Sequence, residues 1–200
     1  EFDVCSSDLI KFLLISLIII LLNGCSSTNM KDFENKTPKL NLFEFFKGET
    51  VAYGIFEDRF GKLRRQFRVK IKGSVEKNTL TLDEKFIYDD GEKATRIWKI
   101  KKINENNNLI KYEGSADDVE GLATGTSVGN ALNWTYDIYL NIKGSNLKVK
   151  FNDWIYKQDS NIAINRAYVS KFGIDIGSVT LVFLRGQTAK TVSPLNIKSW

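Results

Sequence analysis

Residues Thr79–Ile100, TLTLDEKFIYDDGEKATRIWKI, read as two strands joined at Asp89-Asp90-Gly91. With those three residues as the loop and Gly91 in the left-handed conformation of a bulged turn, Tyr88 faces Glu92, Phe86 faces Ala94, Leu82 faces Trp98 and Leu80 faces Ile100. Glu84 then faces Arg96. A two-residue Asp-Gly turn would slip the register by one and put the apolar residues of the two strands on opposite faces, so the three-residue loop is preferred. The hairpin predicts an ion pair between Glu84 and Arg96 on an otherwise apolar face.

The same period of two runs from Glu49 onward, broken by turn residues every ten to fifteen positions. A first hairpin turns at Arg59-Phe60-Gly61 and places Val51, Tyr53 and Ile55 on one face with Leu63, Arg65, Phe67, Val69 and Ile71. Arg65 is thereby inward. Leu109 to Ala116 is a further strand with Ile110 and Tyr112 inward. Asp117 to Asn130 carries three glycines and reads as an irregular loop or bulged edge strand at a barrel mouth. No Gly-Lys-Ser/Thr ends it and no helix follows, which argues against a phosphate-binding loop. Leu132, Trp134, Tyr136, Ile138, Leu140 and Ile142 alternate inward, turn at Lys143 to Asn146, and pair with a strand that sets Asp153 opposite Tyr136. Ile162 to Phe172 presents Ile164, Arg166, Tyr168 and Phe172 inward, and Val179 to Arg185 is strongly apolar.

The fold expected is all-β: an antiparallel up-and-down meander closing, or nearly closing, into a lipocalin-like barrel of about nine strands over residues 40–185, with a β-sandwich as the alternative. Leu40 to Phe46, LNLFEFF, is one helical turn or an opening strand that plugs one end. Residues 186–200 read as a loose tail. Lysine, arginine and glutamate at mid-strand on the outer faces argue against a membrane-spanning barrel.

Ahead of the barrel, KFLLISLIIILLNGC (Lys11–Cys25) sets one positive charge before an apolar run too short to cross a bilayer. Residues 10–24 are therefore expected to be a secretory leader. Its Leu-Asn-Gly-Cys ending resembles the bacterial lipobox, which implies a lipidated Cys25, and Ser26 after the cysteine favours the outer membrane, periplasmic face, by resemblance to Gram-negative sorting. Residues 25–39 read as the lipidated cysteine and a flexible tether. Residues 1–9, EFDVCSSDL, look foreign, because Cys-Ser-Ser-Asp-Leu is what the end of a sequencing adaptor encodes in one frame.

Without residues 1–24 the chain carries 28 basic against 21 acidic residues. That surplus suits anionic headgroups, but the lysines alternate with core residues and form no compact run, so solvated strand faces explain it and no nucleic-acid partner is expected. Histidine is absent. Its absence excludes Ser-His-Asp and Cys-His nucleophiles and histidine metal sites. No catalytic residue, metal or cofactor is assigned.

The inward polar set is Arg65, Glu84, Arg96, Asp153 and Arg166, among Trp98, Trp134 and Tyr136. Three cations against two anions leave a positive charge that needs solvent, carbonyls or a ligand anion. The expected ligand is a fatty-acyl or phospholipid-like anionic amphiphile, its head on Arg65, Arg96 and Arg166 and its tail on Trp98, Trp134 and Tyr136. A filled structural core with a satisfied ionic network is one alternative. A carboxylate enzyme using Glu84 with Asp153 is another, opposed here because nearby arginines would hold both acids ionised.

Phe45-Phe46-Lys47-Gly48, Asp58-Arg59-Phe60-Gly61, Leu82-Asp83-Glu84-Lys85-Phe86, Asp90-Gly91, Arg96-Ile97-Trp98, Gly129-Asn130, Asp153-Trp154-Ile155-Tyr156, Asn165-Arg166 and Lys171-Phe172-Gly173, with the lipobox, together resemble the Gram-negative lipoprotein family known as domain of unknown function 3833. The resemblance spans about Leu40 to Arg185. It implies a calycin-type barrel and carries over no activity, cofactor or catalytic residue.

Overall fold

Alternation of apolar and polar residues is resolved into ten strands that close on themselves in sequence order, each antiparallel to the next, with the last pairing the first. This computed structural model describes residues 28–200 except 107, 143–144 and 193–195, so the leader and Cys25 lie outside the described residues. The strands are β1 (Gly48–Asp58), β2 (Leu63–Glu76), β3 (Thr79–Tyr88), β4 (Lys93–Asn106), β5 (Leu109–Ser115), β6 (Val119–Val128), β7 (Ala131–Ile142), β8 (Ser145–Lys157), β9 (Ile162–Lys171) and β10 (Ile174–Arg185). Closure leaves no unpaired edge, and the barrel has one strand more than the nine or so expected.

The β3–β4 hairpin has the expected register. Glu84 lies opposite Arg96, Leu82 opposite Trp98 and Leu80 opposite Ile100. The Tyr88 N–H donates to the Glu92 carbonyl at 2.9 Å across the three-residue loop, and Gly91 has φ +83°. That left-handed angle is open to glycine at no steric cost, which is why the loop closes there.

Two strands present the opposite face to the one predicted. In the first hairpin the loop is Arg59 to Gly61 as expected, since the Asp58 N–H donates to the Lys62 carbonyl at 3.0 Å. Arg64 is then a bulge: Glu57 pairs with Leu63, but Phe56 pairs with Arg65. One extra residue turns every β1 side chain over relative to β2, so Ala52, Gly54 and Phe56 point inward while Tyr53 is 39% exposed. In β9 the inward residues are Ala163, Asn165, Ala167 and Val169, and Ile164 and Tyr168 face out. Arg166 therefore lies on the outside, its side chain 42% exposed beside Glu57 at 3.7 Å and bonded to the Thr180 hydroxyl at 2.9 Å. Inward alanines leave space inside the barrel that Arg166 and Tyr168 would have filled.

Smaller differences follow the same physics. β7 and β8 pair two residues closer to their turn than expected, which keeps the faces but sets Asp153 opposite Trp134 and Tyr136 opposite Phe151. The predicted turn there falls partly on residues 143–144, outside the described residues. Asp117 to Asn130 is mostly β6, bulged between Glu120 and Thr124, and a paired interior strand rather than an edge.

One end of the barrel is plugged. Asn41 caps α1 (Leu42–Phe46), accepting from the Phe43 and Glu44 N–H groups, and Leu42, Phe45 and Phe46 are buried. Phe46 meets Phe45 and Phe183 edge-on, at 5.0 and 5.2 Å between ring centroids. The preceding segment is no free tether from Asn29 onward. A 3₁₀ turn (Met30–Phe33) brings Phe33 within 6.0 Å of the Trp154 ring, and the Leu40 N–H donates to Gly129 at 2.7 Å. Beyond β10, residues Gly186–Thr191 form the short helix α2 with Ala189 buried, and Arg68 lies over Trp200, so the predicted loose tail is folded back on the wall.

Candidate functional site

Opposite the plug, the β1–β2, β3–β4, β5–β6, β7–β8 and β9–β10 connections form the mouth of the barrel, and behind it lies a cavity of about 660 Å³. That volume falls within the range of small-molecule pockets. It is lined by residues from the plug, such as Leu42 and Phe46, up to Arg65 and Glu92 at the mouth. A filled core near Glu84 and Arg96 is therefore not what the chain builds.

The wall is aromatic because inward positions alternate between very small and very large side chains. Trp134 lies over Gly114 and Gly125, where an added Cβ would run into its ring. From that seat Trp134 meets Trp98 at 5.7 Å, Trp98 meets Tyr136 at 5.2 Å, and Tyr136 stacks on Phe151 at 5.3 Å. Nearer the mouth Phe67, Phe86 and Tyr88 continue the wall. Trp98, Trp134 and Tyr136 thus stand where the sequence placed them.

The charged residues are arranged differently from the sequence expectation. Arg96 turns away from Glu84, and its Nε and Nη2 donate to Asp118 at 2.9 and 2.7 Å. Asp118 sits just past β5, where three more residues of the β4–β5 ladder would bring it opposite Arg96. Arg65 lies at the mouth and donates to Asp90 at 2.9 Å and Glu92 at 2.5 Å, its guanidinium 3.6 Å from the Tyr88 ring centre. Its buried Nε has no partner among the described residues. The lining now counts Arg64, Arg65 and Arg96 against Glu84, Glu92, Asp118 and Asp153, so the cationic surplus expected inside is reversed.

Among the described residues, two acids deep inside make no ion pair. No ion pair within 4.0 Å joins Glu84 to a described residue. Burial pushes its carboxyl up to about 7, with Arg96 pulling it down and Asp118, Asp153 and Asp83 adding to the rise. Asp153 is 8% exposed, and burial lifts it to about 6 against the hydrogen bond from Asn165 and the pull of the nearby Tyr136 hydroxyl and Arg96. The Asn165 amide donates to its Oδ1 at 2.6 Å, while Oδ2 has no partner among the described residues. The nearby arginines do not hold either acid low, because each is already engaged by another carboxylate and burial outweighs what pull Arg96 retains. Asp118→Asn is accordingly expected to lower the Glu84 pKa, both by removing a negative neighbour and by freeing Arg96. A carboxyl-carbon NMR titration reads this, and an unchanged Glu84 midpoint would contradict it.

The sequence reading did not place Asp118 or Asn165 inside, and it left Phe86, Tyr88, Glu92 and Phe151, which its registers set on the interior face, out of the ligand-binding set. The small-residue alternation Ala163-x-Asn165-x-Ala167 was the signal for Asn165, and the acidic turn one strand from Arg96 was the signal for Asp118. Among the described residues no cluster of metal-ligating side chains is present.

The family model described as "Protein of unknown function (DUF3833)" matches residues 19–185. Among solved structures, an S-type phycobiliprotein lyase, CPES, from Guillardia theta superposes with a TM-score of 0.55 at 8% identity, over 80% of this chain and 98% of that one. At that identity the likeness is one of fold alone. Comparison with curated protein sequences found no match.

Proposed function

The chain belongs to the DUF3833 family, whose description supplies no activity, and we propose from its own geometry that it is a non-enzymatic carrier that takes one amphiphile into the barrel. The observation that supports this is the aromatic-lined cavity of about 660 Å³ behind an open mouth. An acyl tail packed against Trp98, Trp134 and Tyr136 gains about 25 cal/mol for each Å² of apolar surface removed from water. Arg65 alone of the three arginines stands at the mouth with an unused buried N–H, and an anionic head would meet it there. Native mass spectrometry against an acyl-chain library tests the reading. One bound chain per protein is expected, and no uptake would overturn it.

The envelope setting is part of the same proposal. A lipid on Cys25 anchors the protein at the periplasmic face of the outer membrane. Lys39 reaches Asn108 and Lys157 reaches the Lys39 carbonyl, so the N-terminal segment joins the barrel at its plugged end. Three residues lie between Cys25 and Asn29 in the sequence, a span of four steps and roughly 14 Å at full extension, which would hold the plug toward the bilayer and the mouth toward the aqueous side. Metabolic labelling with a fatty acid, lost in Cys25→Ala, is the expected result.

The second reading, a carboxylate-based enzyme on lipid or glycan, is favoured by one observation: Glu84 and Asp153 are pushed toward the range where an acid can both give and take a proton. Chemistry separates the two. A carrier returns its ligand unchanged, whereas an enzyme yields a product that Glu84→Gln abolishes.

A further inference from the structure

Resting on the carrier reading, we propose that the middle of the cavity is a second polar subsite, built by Glu84, Asp153 and Asn165, that binds a hydrogen-bond-donating group of the ligand, an alkylammonium most strongly. The subsite is made of acceptors that lack donors. Asp153 Oδ2 and Asn165 Oδ1 are buried without a partner among the described residues, although the two side chains are joined through their other atoms. Glu84 borders the same cavity, and its nearest cation is committed to Asp118. Each buried acceptor left unpaired costs about 1–3 kcal/mol, so a ligand donor placed there recovers what the empty site forgoes.

The surroundings select the kind of donor. Trp98, Trp134 and Tyr136 turn their rings onto the same stretch of cavity, and ring faces attract cations. An ammonium group is drawn by the carboxylates and the rings together. A hydroxyl or amide N–H satisfies the acceptors without the charge term. A carboxylate at this depth meets like charge or competes for a proton, so an anionic head belongs at the mouth with Arg65 and not here.

The groups facing the subsite set its pH dependence. Arg96, Asp118 and Asp153 act on Glu84 from the interior and Asp83 from the outer face of the same strand, and Asp153 feels Arg96, Tyr136 and Asn165. Arg96 is cationic throughout and Tyr136 is held neutral by burial, so the two acids are the groups that change. As pH rises through about 6 and about 7 the subsite becomes anionic, and ammonium binding strengthens while carboxylate binding weakens.

The test uses dodecylamine, dodecanol and dodecanoate below their micelle concentrations, each displacing a fluorescent apolar probe from the purified protein at pH 5 and pH 8. Dodecylamine is expected to bind about tenfold or more tightly than dodecanol at pH 8, with the ratio shrinking at pH 5. In Glu84→Gln/Asp153→Asn the amine preference over dodecanol disappears while the fluorescent apolar probe still binds against the unchanged Trp98, Trp134 and Tyr136, which also shows that the variant is folded. Dodecanol and dodecanoate binding with no amine preference, or an amine preference that falls as pH rises, overturns the subsite and leaves the carrier standing. An amine preference that survives in the double variant overturns the assignment to these residues. If none of the three binds, the carrier reading falls as well. Should the double variant not fold, the pH trend in the unmodified protein decides.

Discussion

Replacing Glu84 with glutamine will stabilise the protein at pH 8 by up to about 3 kcal/mol and change little at pH 4. Glutamine keeps the shape of the side chain and removes its charge. The sign follows from the raised pKa. The folded protein holds this proton up to about pH 7, and the unfolded chain releases it near 4.5. Between those values the folded state binds more protons, so stability falls as pH rises. The contribution is fully present below 4.5 and gone above about 7, where a charged carboxylate sits in the cavity with no direct ion pair and only the pull of an Arg96 already bonded to Asp118. Asp153 acts in the same direction between 3.8 and about 6. Urea unfolding at the two pH values measures the effect. Equal changes at pH 4 and pH 8, or a loss at pH 8, would show that Glu84 is paired as its Cα register suggests.

Trp134→Ala will cost about 3–5 kcal/mol, the usual range for deleting a buried tryptophan. Trp134 is only 7% exposed, and it fills the hollow left by Gly114 and Gly125 on the neighbouring strands. Those glycines cannot close over an alanine, because the ladders on either side fix their backbones. The void therefore stays and the cavity enlarges toward the plug. Trp98, which meets Trp134 edge-on, loses one side of its packing at the same time. A loss below about 1 kcal/mol in urea unfolding would mean that the wall collapses and that the cavity is not held open by its frame.

The parts of this fold that could be read beforehand are those where local chemistry determines the geometry. Gly91 fixes a loop, the loop fixes a register, and the register sets Glu84, Phe86, Trp98 and Ile100 on the interior face. The same holds for Trp134, Tyr136 and Asp153 on β7 and β8. The parts that could not be read depend on distant structure. A one-residue bulge at Arg64 turns β1 over, and β1 is apolar on both faces, so alternation cannot detect it. On β9 the outer face carries Ile164 and Tyr168 while the inner one carries alanines, which inverts the rule that the bulkier side faces in. That inversion moved Arg166 out. For Arg96 the register was right and its partner was not. A strand register fixes Cα neighbours, whereas a long arginine side chain can choose between the strand behind it and the turn ahead. Because Asp118 and the Asp90–Glu92 pair hold the two arginines, the interior changes from a site with a spare cation into one with spare acceptors. The ligand chemistry that follows is correspondingly different.

The four tryptophans provide an internal control for occupancy of the cavity. Trp98 and Trp134 line it, while Trp154 packs under Phe33 outside and Trp200 lies beside Arg68. Titration with a bromine-labelled sixteen-carbon chain should quench the emission of Trp98 and Trp134, saturate at one chain per protein, and vanish in Trp98→Phe/Trp134→Phe. Quenching that persists in that variant, or no saturable quenching in the unmodified protein, would mean that the barrel interior holds no chain.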